Sequence, residues 1–251
     1  MSNKKSRTGL VSISFRKHSP REILEVMKKA GLAFVEWGSD VHAPAKDKDN
    51  LTNLAALQRE YGIECSSYGT YFKLGETPIS ELPSYIAAAK ILGTDILRLW
   101  CGAKSGADMT EEEKSSLIAV CREAATIAEC EGVTLCMDCH IKTFTERPED
   151  ALFLMKEVNS TAFKMYWQPN QFRTAEENIA SARLLAPFVK VIHVFNWERD
   201  IKKPLREAGE IWKEYLAQFN SSQKLLLEFM PCGTLDELKR EAESLRKIAG
   251  E

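Results

Sequence analysis

Apolar residues along the chain fall into two alternating patterns. Short β-branched or aromatic runs bounded by polar residues and glycine read as strands. The stretches between them repeat apolar positions every three or four residues and read as amphipathic helices. GLVSISF (9–15) predicts a first strand and SPREILEVMKKAG (19–31) a first helix, with Ser19 as cap, Pro20 in the first turn and Gly31 as stop. The pairing recurs as strand 33–37 with helix 48–62, strand 63–69 with helix 79–93, and strand 95–102 with helix 110–132. It continues as strand 132–140 with helix 147–158, strand 162–168 with helix 174–187, strand 188–196 with helix 204–219, and strand 223–230 with helix 234–250. Pro83 lies near a helix start, where its missing N–H costs least, and Thr234 and Glu237 are spaced for a capping box.

Strict strand–helix alternation means parallel strands with helices packed outside them. Eight such units in 251 residues, with no linker or low-complexity break, predict an α/β fold: one (β/α)8 TIM barrel domain spanning 1–251. An open doubly wound sheet would want a glycine-rich loop after the first strand, and none is present. A barrel also says where chemistry sits, at the C-terminal ends of strands and in the loops that follow.

Composition narrows the partners. The 34 basic and 36 acidic residues give a formal charge of −2, which offers no electrostatic reason to expect nucleic acid or an anionic membrane. No apolar run approaches the roughly 18–20 residues of a transmembrane span. The basic opening MSNKKSRTGLVSISF lacks a small-residue cleavage site, so a signal peptide is not expected. Seven scattered cysteines, an odd number, fit free thiols in a reducing cytoplasm. Cys136 and Cys139 form a CxxC, but in a strand over 133–140 an offset of three puts them on opposite faces, so both are expected to be packing residues.

Strands five to eight each carry one polar side chain where apolar neighbours predict burial: Asp138, Gln168, His193 and Glu228. In a parallel barrel these four ends are neighbours and face one pocket. A buried acid is costly unless paired, protonated or bound to a cation. Two carboxylates, an imidazole and an amide oxygen can share a divalent metal (Mn, Mg, Co or Zn). The plainer alternative makes His193 a satisfied core histidine and pairs Glu228 with Arg98.

The motifs LCMDCH (135–140), WQPNQ (167–171), IHV (192–194) and LLLEF (225–229), with VEWGSDVH (35–42), resemble the xylose isomerase-like TIM barrel superfamily of sugar isomerases and epimerases, inosose dehydratases and endonuclease IV. The resemblance implies one divalent metal held by glutamate, aspartate, histidine and glutamate on strands five to eight. His193 and Glu228 match; Asp138 stands for glutamate and Gln168 for aspartate, so the quartet offers two negative charges rather than three. Gln171 stands where histidine is common, Phe144 where a glutamate is, and Arg199 matches an arginine that contacts substrate in the ketose epimerases.

The resemblance implies a cytoplasmic sugar or sugar-phosphate isomerase or epimerase. Asp138 and Glu228 would move the proton next to a carbonyl, and the metal would steady the enediolate. Arg199, His140, His42, Gln171 and Trp197 are the candidate substrate contacts. Trp37, Trp100, Trp167 and Trp197 sit at strand ends, as sugar-stacking walls or as mouth-filling bulk. An inosose dehydratase-like lyase and a non-catalytic carbohydrate-binding barrel with a degenerate metal site are the alternatives; endonuclease IV needs many histidines, and this chain has four. A small carbohydrate is the expected partner, and homo-oligomerisation is compatible with such a barrel.

Overall fold

The structure, a computed structural model, describes residues 6–251; residues 1–5, part of the basic opening that bore on a leader, lie outside them. The barrel strands are β1 (Thr8–Val11), β2 (Phe34–Gly38), β3 (Glu64–Leu74), β4 (Ile96–Cys101), β5 (Thr134–Met137), β6 (Phe163–Trp167), β7 (Val189–Val194) and β10 (Lys224–Leu227). They pair in parallel in the closed order β1–β10–β7–β6–β5–β4–β3–β2. Helices α1 (Pro20–Ala30), α2 (Lys48–Tyr61), α3 (Leu82–Leu92), α4 (Glu111–Glu131), α5 (Pro148–Val158), α6 (Ala175–Leu185), α7 (Gly209–Leu216) and α8 (Leu235–Ala249) follow the strands in turn. The chain is a (β/α)8 barrel, as its alternation predicts. Among the described residues no helix is long and apolar enough to cross a membrane.

Strand parity sorts the apolar residues into two cores. Val35, Trp37, Leu97, Leu135, Met165, Trp167, Ile192 and Leu225 face outward into the layer beneath the helices. Val11, Phe34, Cys136, Tyr166, Val191 and Leu226 fill the barrel interior, with Ile96 packed against them. The next inward position on each strand is two residues further on. On β2, β4, β5, β6, β7 and β10 those positions are Glu36, Arg98, Asp138, Gln168, His193 and Glu228, whereas on β1 it is the apolar Ile13. The same alternation that builds the apolar plug therefore stacks a polar layer directly above it.

Helix ends follow local chemistry. Ser19 with Glu22, Thr110 with Glu113 and Thr174 with Glu177 form reciprocal capping boxes. The box expected at Thr234 does not form. Glu237 instead accepts the backbone N–H of Cys232 at 2.8 Å, which leaves the Thr234 side chain uncommitted as a cap.

Other departures bear on the site. The first strand stops at Val11, because Ser12 Oγ accepts the Gly38 N–H at 2.9 Å and the chain turns into a single 3-10 turn, Ser12–Phe15. β3 runs on to Leu74 with an irregular register between Gly69 and Lys73, so Tyr71 and Lys73 lie within the strand rather than after it. The fifth strand ends at Met137, earlier than 132–140. Cys136 is in the barrel interior, while Cys139 lies past the strand end with its thiol on the Tyr166 carbonyl at 3.3 Å. All seven cysteines are free. A two-stranded antiparallel hairpin, β8 (Trp197–Glu198) and β9 (Ile201–Lys202), interrupts the β7–α7 connection and was not anticipated.

Candidate active site

The polar layer is organised around Glu36, which is fully buried on β2. Its Oε1 accepts Arg98 Nε at 2.9 Å, and its Oε2 accepts Tyr166 OH at 2.7 Å and Ser67 Oγ at 2.9 Å. Arg98 turns its Nη1 to Asp138 Oδ2 at 2.7 Å, so one buried guanidinium bridges two buried carboxylates. His193 stands between two more acid contacts, with Nε2 3.6 Å from Glu36 Oε2 and Nδ1 3.4 Å from Glu228 Oε2. Its Nδ1 is also 3.4 Å from Gln168 Oε1, and Gln168 Nε2 donates to the Cys139 carbonyl at 3.1 Å. Arg98 thus pairs with Glu36 and Asp138, not with Glu228 as the plainer alternative supposed.

The electrostatics follow from this packing. Burial opposes the charge on Glu36, but Arg98 first and then His193 and Tyr166 outweigh it and hold the carboxyl down to about 2. Burial likewise opposes charge on His193, yet Glu228 and Glu36 push its pKa up to about 10, so the ring carries a proton at neutral pH. Burial disfavours the Arg98 charge as well, and the carboxylates of Glu36 and Asp138 overcome it, raising the guanidinium well above its ordinary value.

Above this layer lies a cavity of ≈ 410 Å³ at the C-terminal ends of the strands, within the range of about 300–1,000 Å³ usual for small-molecule sites. Arg98, Asp138, Gln168 and Glu228 line its floor, and His140, Gln171, Trp100 and Trp197 are among its walls. Trp100 stacks on His140 with ring centroids 4.5 Å apart, and Lys73 Nζ lies 5.0 Å from the Trp100 ring centre. Phe229 follows Glu228 with a φ of 53°, a left-handed conformation costly for an aromatic residue, and its N–H is held by Ser14 Oγ at 2.9 Å. Several buried atoms of lining residues have no hydrogen-bond partner: Arg98 Nη2, Asp138 Oδ1, Trp100 Nε1 and Trp197 Nε1.

Asp138, Gln168, His193 and Glu228 therefore gather at one end of the barrel, and His140, Gln171 and Trp197 join them on the cavity wall. His42 does not. It is buried between Ser12 Oγ and the His18 carbonyl, each 3.1 Å away, with its ring edge on Trp37. Arg199 is exposed at the hairpin turn with a φ of 54° and is not part of the cavity wall. The strand-end tryptophans divide by parity. Trp100 and Trp197 line the cavity, whereas Trp37 donates to Gln58 Oε1 at 2.8 Å and Trp167 packs on Trp212 and Tyr215. Sequence reasoning missed Glu36 as the hub. The available signal was an acid two places after Phe34, in phase with the barrel interior.

The donor set fits a divalent cation poorly. Asp138 Oδ2 is taken by Arg98, and among the described residues no three histidine, cysteine, aspartate or glutamate groups are placed to hold a metal ion.

Gly69 makes the arrangement sensitive to a single methyl group. A Cβ there would come within 2.5 Å of Glu36 Oε1 and 3.2 Å of Arg98 Nη2. Gly69→Ala is expected to lower stability by about 1–3 kcal/mol, read by urea denaturation, since the buried ion pair has no room to yield. An unchanged midpoint would show that the pair can move aside.

A family model described as xylose isomerase-like TIM barrel matches residues 24–222. No functionally curated protein matches the chain in sequence. Among solved structures, the chain is similar to the probable 3-DHS dehydratase AsbF of Bacillus anthracis (TM-score 0.78, 17% identity, covering 96% of this chain and 98% of that one). It is also similar to D-psicose 3-epimerase of Clostridium cellulolyticum H10, solved with D-tagatose (TM-score 0.72, 13% identity, 98% of each chain). A third likeness is to the IolI protein, solved with a bound zinc atom (TM-score 0.76, 16% identity, 98% of each chain).

Proposed function

The chain belongs to the xylose isomerase-like TIM barrel family, and from that premise we propose that it moves a proton on the carbon beside a carbonyl in a small polyhydroxylated compound, as an isomerase or epimerase. The observation that carries this reading is the placing of two carboxylates, Asp138 and Glu228, on the wall of one strand-end cavity. Each is buried, and Asp138 Oδ1 has no partner. Two acids on one small cavity are what removal and return of a carbon-bound proton require.

The cavity's charge bears on the substrate. Both arginines on the wall are committed, Arg16 to Asp40 and Arg98 to Glu36 and Asp138. Three carboxylates, Asp138, Asp200 and Glu228, line the same space. A phosphate dianion would meet these acids and no arginine whose charge is not already matched by carboxylates, so the substrate is an unphosphorylated sugar or cyclic polyol ketone. The unpartnered indole N–H groups of Trp100 and Trp197 suit its hydroxyls, and their rings suit its C–H faces.

The test is proton NMR in D2O with a panel of aldoses, ketoses and inososes and their phosphates. The expected result is loss of the proton signal beside the carbonyl of an unphosphorylated member. Exchange confined to phosphorylated members would refute the substrate class, and no exchange across the panel would refute the reaction. Loss of a hydroxyl group, seen as a CH–OH signal replaced by a vinyl or deoxy one, would move the reading to elimination of water.

A further inference from the structure

We infer that the Arg98 guanidinium is the electrophile of this site, taking the charge-stabilising part that a divalent cation would otherwise play and offering its Nη2 edge to the substrate's carbonyl oxygen. The catalytic half of this inference rests on the reaction proposed above; the cation half does not.

Arg98 is buried to 2% exposure and spends two of its three nitrogens on carboxylates, Nε on Glu36 and Nη1 on Asp138. The third, Nη2, is buried without a partner, and so is Asp138 Oδ1, the free oxygen of the carboxylate that Nη1 holds. Both residues line the cavity. Buried N–H and carboxylate groups are seldom left unmade, because each forgoes its water without recompense. An unpartnered donor and an unpartnered acceptor on two residues that line one cavity are the complement of a ligand edge that carries a carbonyl oxygen.

The chemistry closes without another cation. When a carboxylate removes the proton beside the carbonyl, the C–H pair becomes the C=C bond and the C=O π pair moves onto oxygen. That oxyanion accepts the Nη2–H hydrogen bond; arginine gives up no proton and keeps its charge at any working pH. Return of a proton to carbon reverses the shift and completes the step. A preorganised donor in a low-dielectric site is well suited to such developing charge. The same guanidinium already holds Asp138, one of the two carboxylates that a metal would need, and it would repel a dication placed next to it.

The test has two arms. In the first, which needs no substrate, EDTA-treated protein is titrated with Mn2+, Co2+ and Zn2+ by calorimetry and followed by thermal melting. The wild type is expected to take up no ion at one per chain and to keep its Tm. Arg98→Gln, which frees Glu36 and Asp138, is expected to gain at least about tenfold in Co2+ affinity and to be stabilised by the ion. Micromolar one-per-chain binding by the wild type overturns the inference even if Arg98→Gln does not fold, and so does a folded Arg98→Gln that gains nothing. In the second arm, Arg98→Lys keeps the charge but loses the fork. It is expected to reduce kcat by about 100-fold or more with KM little changed, while wild-type exchange persists in EDTA. Wild-type exchange that requires added metal overturns the inference. Absence of exchange under every condition instead refutes the proposed reaction and the electrophile's part in it, and leaves the cation half to stand on the first arm.

Discussion

Glu36→Leu is expected to destabilise the protein by about 3–5 kcal/mol, because removing one partner of a buried ion pair strands the other. Four groups lean on this carboxylate: Arg98, Tyr166 and Ser67 by hydrogen bonds and His193 by an ion-pair contact. All four are buried, so little water is at hand to replace what they lose. For a chain of this size the fall in Tm is roughly 10 °C or more. Glu36→Leu combined with Arg98→Met also takes away the partner that Asp138 keeps in the single variant, and it is expected to deepen the loss. Urea denaturation of the two variants decides the matter. A single variant within about 1 kcal/mol of the wild type would mean that the network is not what holds β2 to β4 and β6.

The same hub sets a pH window. The folded Glu36 carboxyl lies at about 2, against an ordinary 4.5 when the chain unfolds. Between those values the unfolded state binds a proton that the folded state refuses, so this contribution is whole above about 4.5 and is lost as pH falls toward 2. His193 has the opposite sign. Its folded value of about 10 exceeds an ordinary 6.5, so its contribution is whole below about 6.5 and is lost as pH rises toward 10. Stability is therefore expected to be flat between about 4.5 and 6.5 as far as these two groups decide it, and Glu36→Gln should blunt the acid limb.

How much of this could be read from the chain depends on the range of the interaction involved. Strand and helix placement rests on local periodicity, and so does the inward parity of Asp138, Gln168, His193 and Glu228. Each lies two residues past an interior apolar residue, and the barrel follows from strict alternation. Partner choice is a matter of closure. Arg98 looked free to meet Glu228, but its register neighbours are Gly69 on β3 and Cys136 on β5, which puts Asp138 two residues from its own level, while Glu228 follows β10, which is not a neighbour of β4. Glu36 was passed over because a lone acid in AFVEW carries no local mark of its role. Its meaning comes from Arg98, 62 residues on, and Tyr166, 130 residues on. The β8–β9 hairpin is two residues per strand, below the length at which a periodic signal exists, and it decides that Trp197 reaches the cavity and Arg199 does not.

The largest expected effect on activity is that of Glu228→Gln, a fall in substrate interconversion of about 10²–10⁴-fold with the fold retained. Glutamine keeps the shape of the side chain and an oxygen toward His193 Nδ1, now 3.4 Å from Glu228 Oε2, but it cannot take a proton from carbon. Its melting point should fall less than that of Glu36→Leu, since Glu36 still faces the His193 ring. Asp138→Asn is the companion variant, and it also weakens the Arg98 contact at 2.7 Å, so its loss mixes chemistry with positioning. The pair of variants separates the two forms of the reaction. In a 3-epimerase each acid serves one face of the carbon, so Glu228→Gln should still let one epimer exchange its proton with D2O while interconversion stops. In an aldose–ketose isomerase the proton moves between neighbouring carbons through one base, and exchange and conversion should fall together in both directions. Full exchange and conversion in Glu228→Gln would remove this residue from the chemistry and leave Asp138 as the sole carboxylate base.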